Sequence, residues 1–255
     1  MEFAEFVKGV RFRFLQPDRP RPSGFRGLAK FLRNFGLHLE VMNTVLPDAD
    51  AELKARFKRI CKIPRMSTFA IGAMINRAVS SLPEGQVYLN IGVWNGFTYF
   101  SGVVGNEDKR CIGVDDFSHK NSPSAAFLER FNKFKGPNDQ FIESDFREYF
   151  KRDDHEPIGV YLFDGPHDYE DQWDGLELAE PFFADNCIIL VDDCNWDQVS
   201  GANLDFMNKS ENNYKLILDC RTPKSGHPTW WNGFMVFQLQ GRNVKSKLKT
   251  QSNAA

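Results

Sequence analysis

Between residues 83 and 240 the chain alternates short runs of β-branched and aromatic residues with longer mixed segments. This is the pattern of parallel strands joined by crossover helices. The predicted strands are 87–91 (VYLNI), 111–115 (CIGVD), 140–143 (QFIE), 159–163 (GVYLF), 187–191 (CIILV), 214–219 (YKLILD) and 233–238 (GFMVFQ). They fit one α/β domain built on a doubly wound, seven-stranded, mostly parallel sheet. CIILV is apolar at every position, as a central strand covered on both faces should be, whereas YKLIL and GFMVF read as more peripheral. Between the fourth and fifth strands Tyr169, Trp173, Leu176, Ala179 and Phe183 recur at steps of three and four, which predicts a helix with one buried face.

Residues 1–82 follow a different pattern. A break-prone stretch, QPDRPRPSG (16–24), precedes helical periodicity through Leu28, Phe31, Leu32, Phe35 and Leu39, and a second helical segment runs from Ala51 to Cys61. We expect a helical extension packed against the sheet domain or lying over its ligand cleft. The sheet domain then spans 83–240, and 241–255, with four Lys/Arg and no acid, reads as a flexible basic tail.

Composition sharpens this division. The 255 residues carry 32 Lys+Arg and 34 Asp+Glu for a net charge of −2, but residues 1–65 hold +7 and the remainder −9. A basic arm thus sits on an acidic body. The five cysteines (Cys61, Cys111, Cys187, Cys194, Cys220) are odd in number and form no C-x-x-C pair, which argues against a disulfide framework or zinc ribbon. No secretory signal opens the chain, and no apolar run approaches the ~20 residues of a membrane span. A cytoplasmic protein is expected, with no membrane span and with a homo-oligomer left open.

In an open parallel sheet, ligands collect beyond the carboxyl ends of the strands, and those ends are rich in chemistry here. The first strand runs into Asn90-Ile-Gly-Val-Trp-Asn-Gly-Phe-Thr. Gly92 and Gly96 suit a tight turn that brings a helix N-terminus and its free N–H groups toward a ligand, although the same spacing also serves an ordinary strand-to-helix turn. The second strand ends in Asp115-Asp116, suited to accepting two ribose hydroxyls, and the third in Ser144-Asp145-Phe146, suited to an adenine edge and face. The fourth delivers Asp164-Gly-Pro-His167 and the fifth Asp192-Asp193-Cys194-Asn195.

Three carboxylates from adjacent strand ends would repel one another by about 4 kcal/mol per pair at ~4 Å and intermediate dielectric. A divalent cation offsets this. A site built from Asp164, Asp192 and Asp193, with the Asn195 carbonyl as a further oxygen, suits Mg²⁺, Mn²⁺ or Ca²⁺ better than zinc. The competing reading is that Asp164 and Asp193 cap the following helices and Asp192 faces water. His167, three residues from Asp164, is suited to removing a proton near neutral pH. Cys194 has no base partner and reads as a packing residue. Trp94, Trp230 and Trp231 are candidates for a substrate pocket. His38, His119, His155 and His227 fall in segments that the pattern does not place against the cleft.

The runs NIGVWNGFT, GVDDF, SDF, FDGPHDYE and VDDCNW together resemble class I S-adenosylmethionine-dependent methyltransferases, and within them the macrocin-type sugar O-methyltransferases of antibiotic biosynthesis. The resemblance covers about residues 84–200 well and 201–238 loosely, and does not extend to the basic arm. It implies a Rossmann-like methyltransferase fold. It also implies that Gly92 and Gly96 frame the methionine portion of the cofactor, with Asn90, Trp94 and Thr98 from the same run. Asp115, with Asp116 beside it, would hold the ribose, and Ser144 and Asp145 would meet the adenine. Asp164, Asp192 and Asp193 would bind Mg²⁺ facing the transferable methyl group, with Asp164 also touching the cofactor and Asp164 and His167 the catalytic pair. The family usually has an acid where this chain has Asn90, whose amide accepts a hydrogen bond but carries no charge. The implied acceptor is a small molecule such as a sugar, including a phosphorylated or nucleotide-linked one that the basic arm would receive. Nucleic acid is not expected, since the cleft is acidic. A metal-independent methyltransferase with His167 as base, and a non-catalytic methyltransferase-like binding protein, remain as alternatives.

Overall fold

The computed structural model describes residues 1–48, 50–119 and 122–242. The chain opens with α1 (Phe3–Gly9), a two-residue strand β1 (Arg11–Phe12), α2 (Phe25–Arg33) and α3 (Leu39–Asn43). β2 (Thr44–Val45) follows and pairs antiparallel with β1. Buried Asn43 locks this corner: its Oδ1 accepts from the Phe14 and Leu15 N–H at 3.0 Å each, and its Nδ2 donates to the Leu15 carbonyl at 2.9 Å. The predicted 28–39 helix is two helices, because Gly36 adopts φ +72° and turns the chain before Leu39. The second predicted helical segment is α4 (Asp50–Phe57) followed by a 3₁₀ turn at Ile60–Lys62.

α5 (Phe69–Ser80) closes the extension, and ten of its residues are buried, so it is covered all round rather than on one stripe. Thr68 caps it, Oγ1 accepting from Ile71 N–H at 3.4 Å while donating to the Thr229 carbonyl at 2.6 Å. That second bond ties the extension to the far end of the chain.

The sheet comprises β3 (Val87–Ile91), β4 (Arg110–Asp115), β5 (Gln140–Glu143), β6 (Ile158–Phe163), β7 (Phe183–Asp192), β8 (Asn213–Cys220) and β9 (Phe234–Gly241), in the order β5-β4-β3-β6-β7-β9-β8. β9 alone runs opposite to the other six strands. The strand order reverses at β3, which pairs with β4 on one side and β6 on the other, so the crevice predicted by the switch-point rule opens there. The crossovers carry α6 (Phe97–Val103), α7 (Ser124–Phe134), α8 (Phe146–Phe150), α9 (Tyr169–Glu177) and α10 (Asp197–Lys209).

Two sequence expectations are corrected. GFMVF is not peripheral: β9 inserts between β7 and β8 and is buried along most of its length, leaving half-exposed β8 at the edge. The periodicity from Tyr169 to Phe183 spans more than one element, since α9 stops at Glu177 and Phe183 opens β7. The face of α9 that is buried is Gln172, Gly175 and Leu176, with Tyr169 and Trp173 left partly exposed.

Alternate residues of the strands divide the core into two clusters, as a period of two requires. Tyr88, Leu162, Leu190 and Val236 face α5, α6, α7 and the extension. Leu89, Tyr161, Ile189 and Phe237 face α8, α9 and α10. Phe6 of α1 and Phe57 of α4 belong to the first cluster, so the extension joins α6 and α7 in one of the two helical layers over the sheet. At the other end, Gly241 completes β9, so the first residue of the expected tail belongs to the sheet, and Arg242 just beyond it reaches Asp185, 3.8 Å away. Residues 243–255 lie outside the described residues. All five cysteines are unpaired. Among the described residues no helix is long and apolar enough to cross a membrane.

Candidate active site

The loop leaving β3 is held by Asp115 at the end of β4. Oδ2 of Asp115 accepts the N–H groups of Val93 and Trp94, both at 2.9 Å, and Oδ1 accepts that of Phe117 at 2.8 Å. The loop passes through φ +78° at Gly92, +44° at Trp94 and +95° at Gly96. A Cβ on residue 96 would stand 2.3 Å from the Phe100 ring, so this glycine serves packing inside the protein. Asn90 is fully buried: its Oδ1 accepts from the Tyr88 hydroxyl at 3.2 Å and its Nδ2 donates to the Ile91 and Gly92 carbonyls at 3.2 and 3.0 Å.

A cavity of about 320 Å³ opens beyond these strand ends. Of the expected cofactor residues, Gly92, Trp94, Thr98, Asp115, Asp116, Ser144, Asp145 and Asp164 line it. Asn90 and Gly96 do not, because each is turned into the protein by the bonds and packing just described. At one end Asp145 caps α8, Oδ1 accepting from Arg147 and Glu148 N–H at 2.8 and 3.3 Å, and Phe146 adds an apolar wall. Asp116 Oδ1 accepts from Ser118 N–H at 2.9 Å.

At the other end the acids converge. One donor atom each of Asp164, His167 and Asp193 lies within 4.8 Å of the others, and all three residues line the cavity. His167 Nε2 stands 2.9 Å from Asp193 Oδ2 but off the line a hydrogen bond needs, leaving this enclosed nitrogen without a hydrogen-bond partner among the described residues. The edge of Trp196 packs against the imidazole, the ring centroids 4.4 Å apart. Asp193 adopts φ +59°, an uncommon conformation for a non-glycine residue and one that concentrates at functional sites. Burial, then the neighbouring Asp193 and Asp115, push the Asp164 carboxyl well above the usual carboxylate range.

The expected trio of carboxylates is corrected in one member. Asp192 is buried outside the cavity lining, its Oδ1 accepting the Asp193 N–H at 2.9 Å, and His167 takes its place in the cluster. Asp192 is nonetheless close enough to matter: burial first, then Asp193 and Asp164, hold its carboxyl well above the usual range. Asn195 does not supply an oxygen either. Its Oδ1 accepts from Thr222 N–H at 2.8 Å and its Nδ2 donates to the Thr222 carbonyl and hydroxyl at 2.9 Å each. The helix-capping alternative also fails, since the N-caps of α9 and α10 are Asp168 and Trp196. Cys194 is buried and its thiol is raised well above the ordinary range, chiefly by burial, as a packing residue should be. Of the tryptophans only Trp94 lines the cavity; Trp230 is buried, stacked on Phe234.

Sequence reasoning missed the wall contributed by the extension. Arg65, Met66 and Ser67, just before α5, line the cavity. Arg65 is ion-paired with Glu40 and lies over the Phe97 ring, 4.7 Å from its centroid, while its Nε has no partner among the described residues. One of fourteen basic residues in the arm, Arg65 is marked in the sequence only by standing three residues before the Thr68 cap. His119 lines the cavity too, four residues beyond the end of β4.

Residues 89–194 match the family described as a methyltransferase domain. No curated protein matches the chain. Among solved structures, the chain is similar to cofactor-bound Rv0187 from MTB at 13% identity and a TM-score of 0.57, over 89% of this chain and 100% of that one. It is similar to the O-methyltransferase from Bacillus cereus in complex with SAH at 12% identity and a TM-score of 0.53, over 84% and 97% of the two chains. CalS11, a TDP-rhamnose 3′-O-methyltransferase of calicheamicin biosynthesis, aligns at 16% identity and a TM-score of 0.53, over 90% and 100%. The chain thus has the Rossmann-like fold of the methyltransferases, and the segment matched by their domain runs from β3, through the glycine loop, to the acids that close the cavity.

Proposed function

We propose that the chain is an S-adenosylmethionine-dependent O-methyltransferase that acts on a hydroxyl of a small molecule, a sugar or other diol-bearing acceptor, with the help of a divalent cation. One observation carries this reading: a single cavity of about 320 Å³ has a polar end at Asp115, Ser144 and Asp145 and an acid–imidazole cluster at Asp164, His167 and Asp193. The SAH bound to the Bacillus cereus relative supports the cofactor, and the sugar-nucleotide substrate of CalS11 supports the acceptor class. The cavity's acidic lining disfavours nucleic acid as acceptor.

In this reading Gly92, Trp94 and Thr98 border the methionine portion, Asp115 and Asp116 accept from the ribose, and Ser144, Asp145 and Phe146 border the adenine. Asn90 positions the loop instead of touching the cofactor. The cluster fits a cation: two carboxylates crowded together and an enclosed imidazole nitrogen without a hydrogen bond make a donor set for Mg²⁺ or Mn²⁺, the imidazole favouring Mn²⁺. When bound, such a cation supplies the Lewis acidity that lowers the pKa of an acceptor hydroxyl and orients it. The remaining chemistry is simple. The hydroxyl oxygen forms a bond to the methyl carbon, the carbon–sulfur bond breaks, and a neutral thioether departs without needing an acid. The hydroxyl proton passes to a carboxylate oxygen of Asp164 that does not hold the cation.

The 2.9 Å separation of His167 Nε2 and Asp193 Oδ2 also favours a second reading, in which His167 is a metal-free base and the carboxylate stabilises the imidazolium that forms. Calorimetry with S-adenosylhomocysteine tests the cofactor; no binding at millimolar concentration refutes both readings. Methyl transfer assayed against a panel of sugars, sugar nucleotides and catechols then separates them. Loss of transfer in EDTA, restored by Mn²⁺ or Mg²⁺ and larger than the loss in His167→Ala, is expected; EDTA-insensitive transfer that His167→Ala abolishes establishes the metal-free base.

A further inference from the structure

We propose that the face of α2 is a docking surface for an anionic lipid bilayer. The helix exposes what a folded protein ordinarily covers: Leu28 is 52% exposed, Phe31 59% and Phe35, just past its end, 67%. None of its residues is buried. The Phe31 and Phe35 rings lie tilted against each other, centroids 5.1 Å apart. At 100° per residue, Phe25, Leu28, Ala29, Phe31, Leu32 and Phe35 occupy one side of the helix and Arg26, Lys30 and Arg33 the other. A short helix with one side apolar and the other wholly cationic is built to lie in a membrane interface, its rings among the acyl chains and its cations among the headgroups.

Charge identifies the occupant. From residue 19 to 39 the chain carries Arg19, Arg21, Arg26, Lys30 and Arg33 and not one Asp or Glu, so the surface calls for a partner that is negative and apolar together, as an anionic bilayer is. A second copy of this chain would set one cationic helix against another across a two-fold axis. The helix is also presented firmly. Arg21 donates to the Gly226 and Ser225 carbonyls at 2.8 and 3.2 Å, the His227 imidazole lies 2.9 Å from the Arg19 carbonyl oxygen, and Leu39 is buried beyond the far end. Both flanks are fastened to the domain, while the helix between them has only Phe25, Ala29 and Leu32 partly covered and no residue fully buried. Beyond that far end the chain passes directly to Glu40, the ion-pair partner of cavity-lining Arg65, so the docked face lies beside the wall of the proposed active site in the chain.

The test is flotation of the full chain with vesicles of phosphatidylcholine alone or with roughly one-third phosphatidylglycerol, at low and high salt. Binding to the anionic vesicles only, weakened by salt and reduced at least about tenfold in both Phe31→Ser/Phe35→Ser and Arg26→Gln/Lys30→Gln/Arg33→Gln, is expected. Because these side chains are exposed, both variants should keep the wild-type melting temperature, which separates lost docking from lost folding. Absence of vesicle binding overturns the proposal. So does binding that survives Phe31→Ser/Phe35→Ser, which would place it elsewhere on the basic surface. A dimer in solution that Phe31→Ser/Phe35→Ser dissociates, without vesicle binding, also overturns it and assigns the face to a second copy.

Discussion

Gly92 and Asp164 lie so close that a Cβ on residue 92 would stand 2.0 Å from the Asp164 carbonyl oxygen. These residues follow the paired ends of β3 and β6, and Asp164 N–H donates to the Ile91 carbonyl at 3.0 Å. The glycine therefore does more than permit a turn: it lets the strand that carries the loop close onto the strand that carries the acid.

Gly92→Ala should accordingly be far more costly than an ordinary left-handed glycine. Gly85 has the same φ of +78°, yet a Cβ there would meet nothing within 4 Å, so Gly85→Ala isolates the conformational cost, about 1–2 kcal/mol. Gly92→Ala adds a backbone clash and should lose at least about 3 kcal/mol, seen in thermal melts as a drop of ~6 °C or more. Equal melting of the two variants would show that β3 and β6 can separate at no cost.

The crowded carboxyls make a pH-dependent prediction. Asp164 and Asp192 have folded-state pKa values raised above their ordinary 3.8, so what they contribute to stability is present below that value and is lost as pH rises through the raised ones. The metal-free protein at neutral pH is therefore strained by them. Asp192→Asn, which keeps the Oδ1 that accepts from Asp193 N–H, should raise the melting temperature at pH 7.5, by on the order of 1–2 kcal/mol in stability, and leave it unchanged near pH 3.5. Millimolar Mn²⁺ should stabilise the wild type at pH 7.5 but not Asp193→Asn, as differential scanning fluorimetry would show. Destabilisation by Asp192→Asn at pH 7.5 would mean that its charge is already compensated.

Acid should loosen the junction between arm and sheet. The His227 pKa is lowered, chiefly by burial, and its ring bridges the Thr229 hydroxyl at 2.6 Å and the Arg19 carbonyl at 2.9 Å. Its contribution is present above the ordinary 6.5 and is lost as pH falls through the folded value. His38 and His155 are lowered in the same sense, again mainly by burial. The part of the stability contributed by His227 should be constant above pH ~6.5 and fall below it by up to about 1.4 kcal/mol per pH unit, so His227→Gln should differ from the wild type in the slope of its melting profile below pH ~6.5 and not above it. An unchanged slope in that variant would assign the acid sensitivity to the other histidines.

Much of this protein was legible in its residues because the signals were local. Strand positions follow from runs such as VYLNI and CIILV, and the site from acids and glycines placed directly after strands. Errors arose where a local signal had two meanings. GFMVF reads as a modest strand, and nothing in its own residues shows that it inserts between β7 and β8. Asp192 and Asp193 are equivalent in sequence, but only one can point into the cavity. Successive strand residues face opposite ways, and the left-handed turn at Asp193 decides which.

The sequence alone determined the sheet, the rim on which its chemistry gathers and most of the cavity's acids, since periodicity and strand-end position are properties of neighbouring residues. Tertiary structure decided that Asn90 and Gly96 serve the protein interior, that His167 replaces Asp192 in the cluster, that Arg65 reaches the cavity from the arm, and that α2 remains uncovered. Each of these depends on contacts between segments distant in the chain, and which groups meet there is set by packing, which no local pattern encodes.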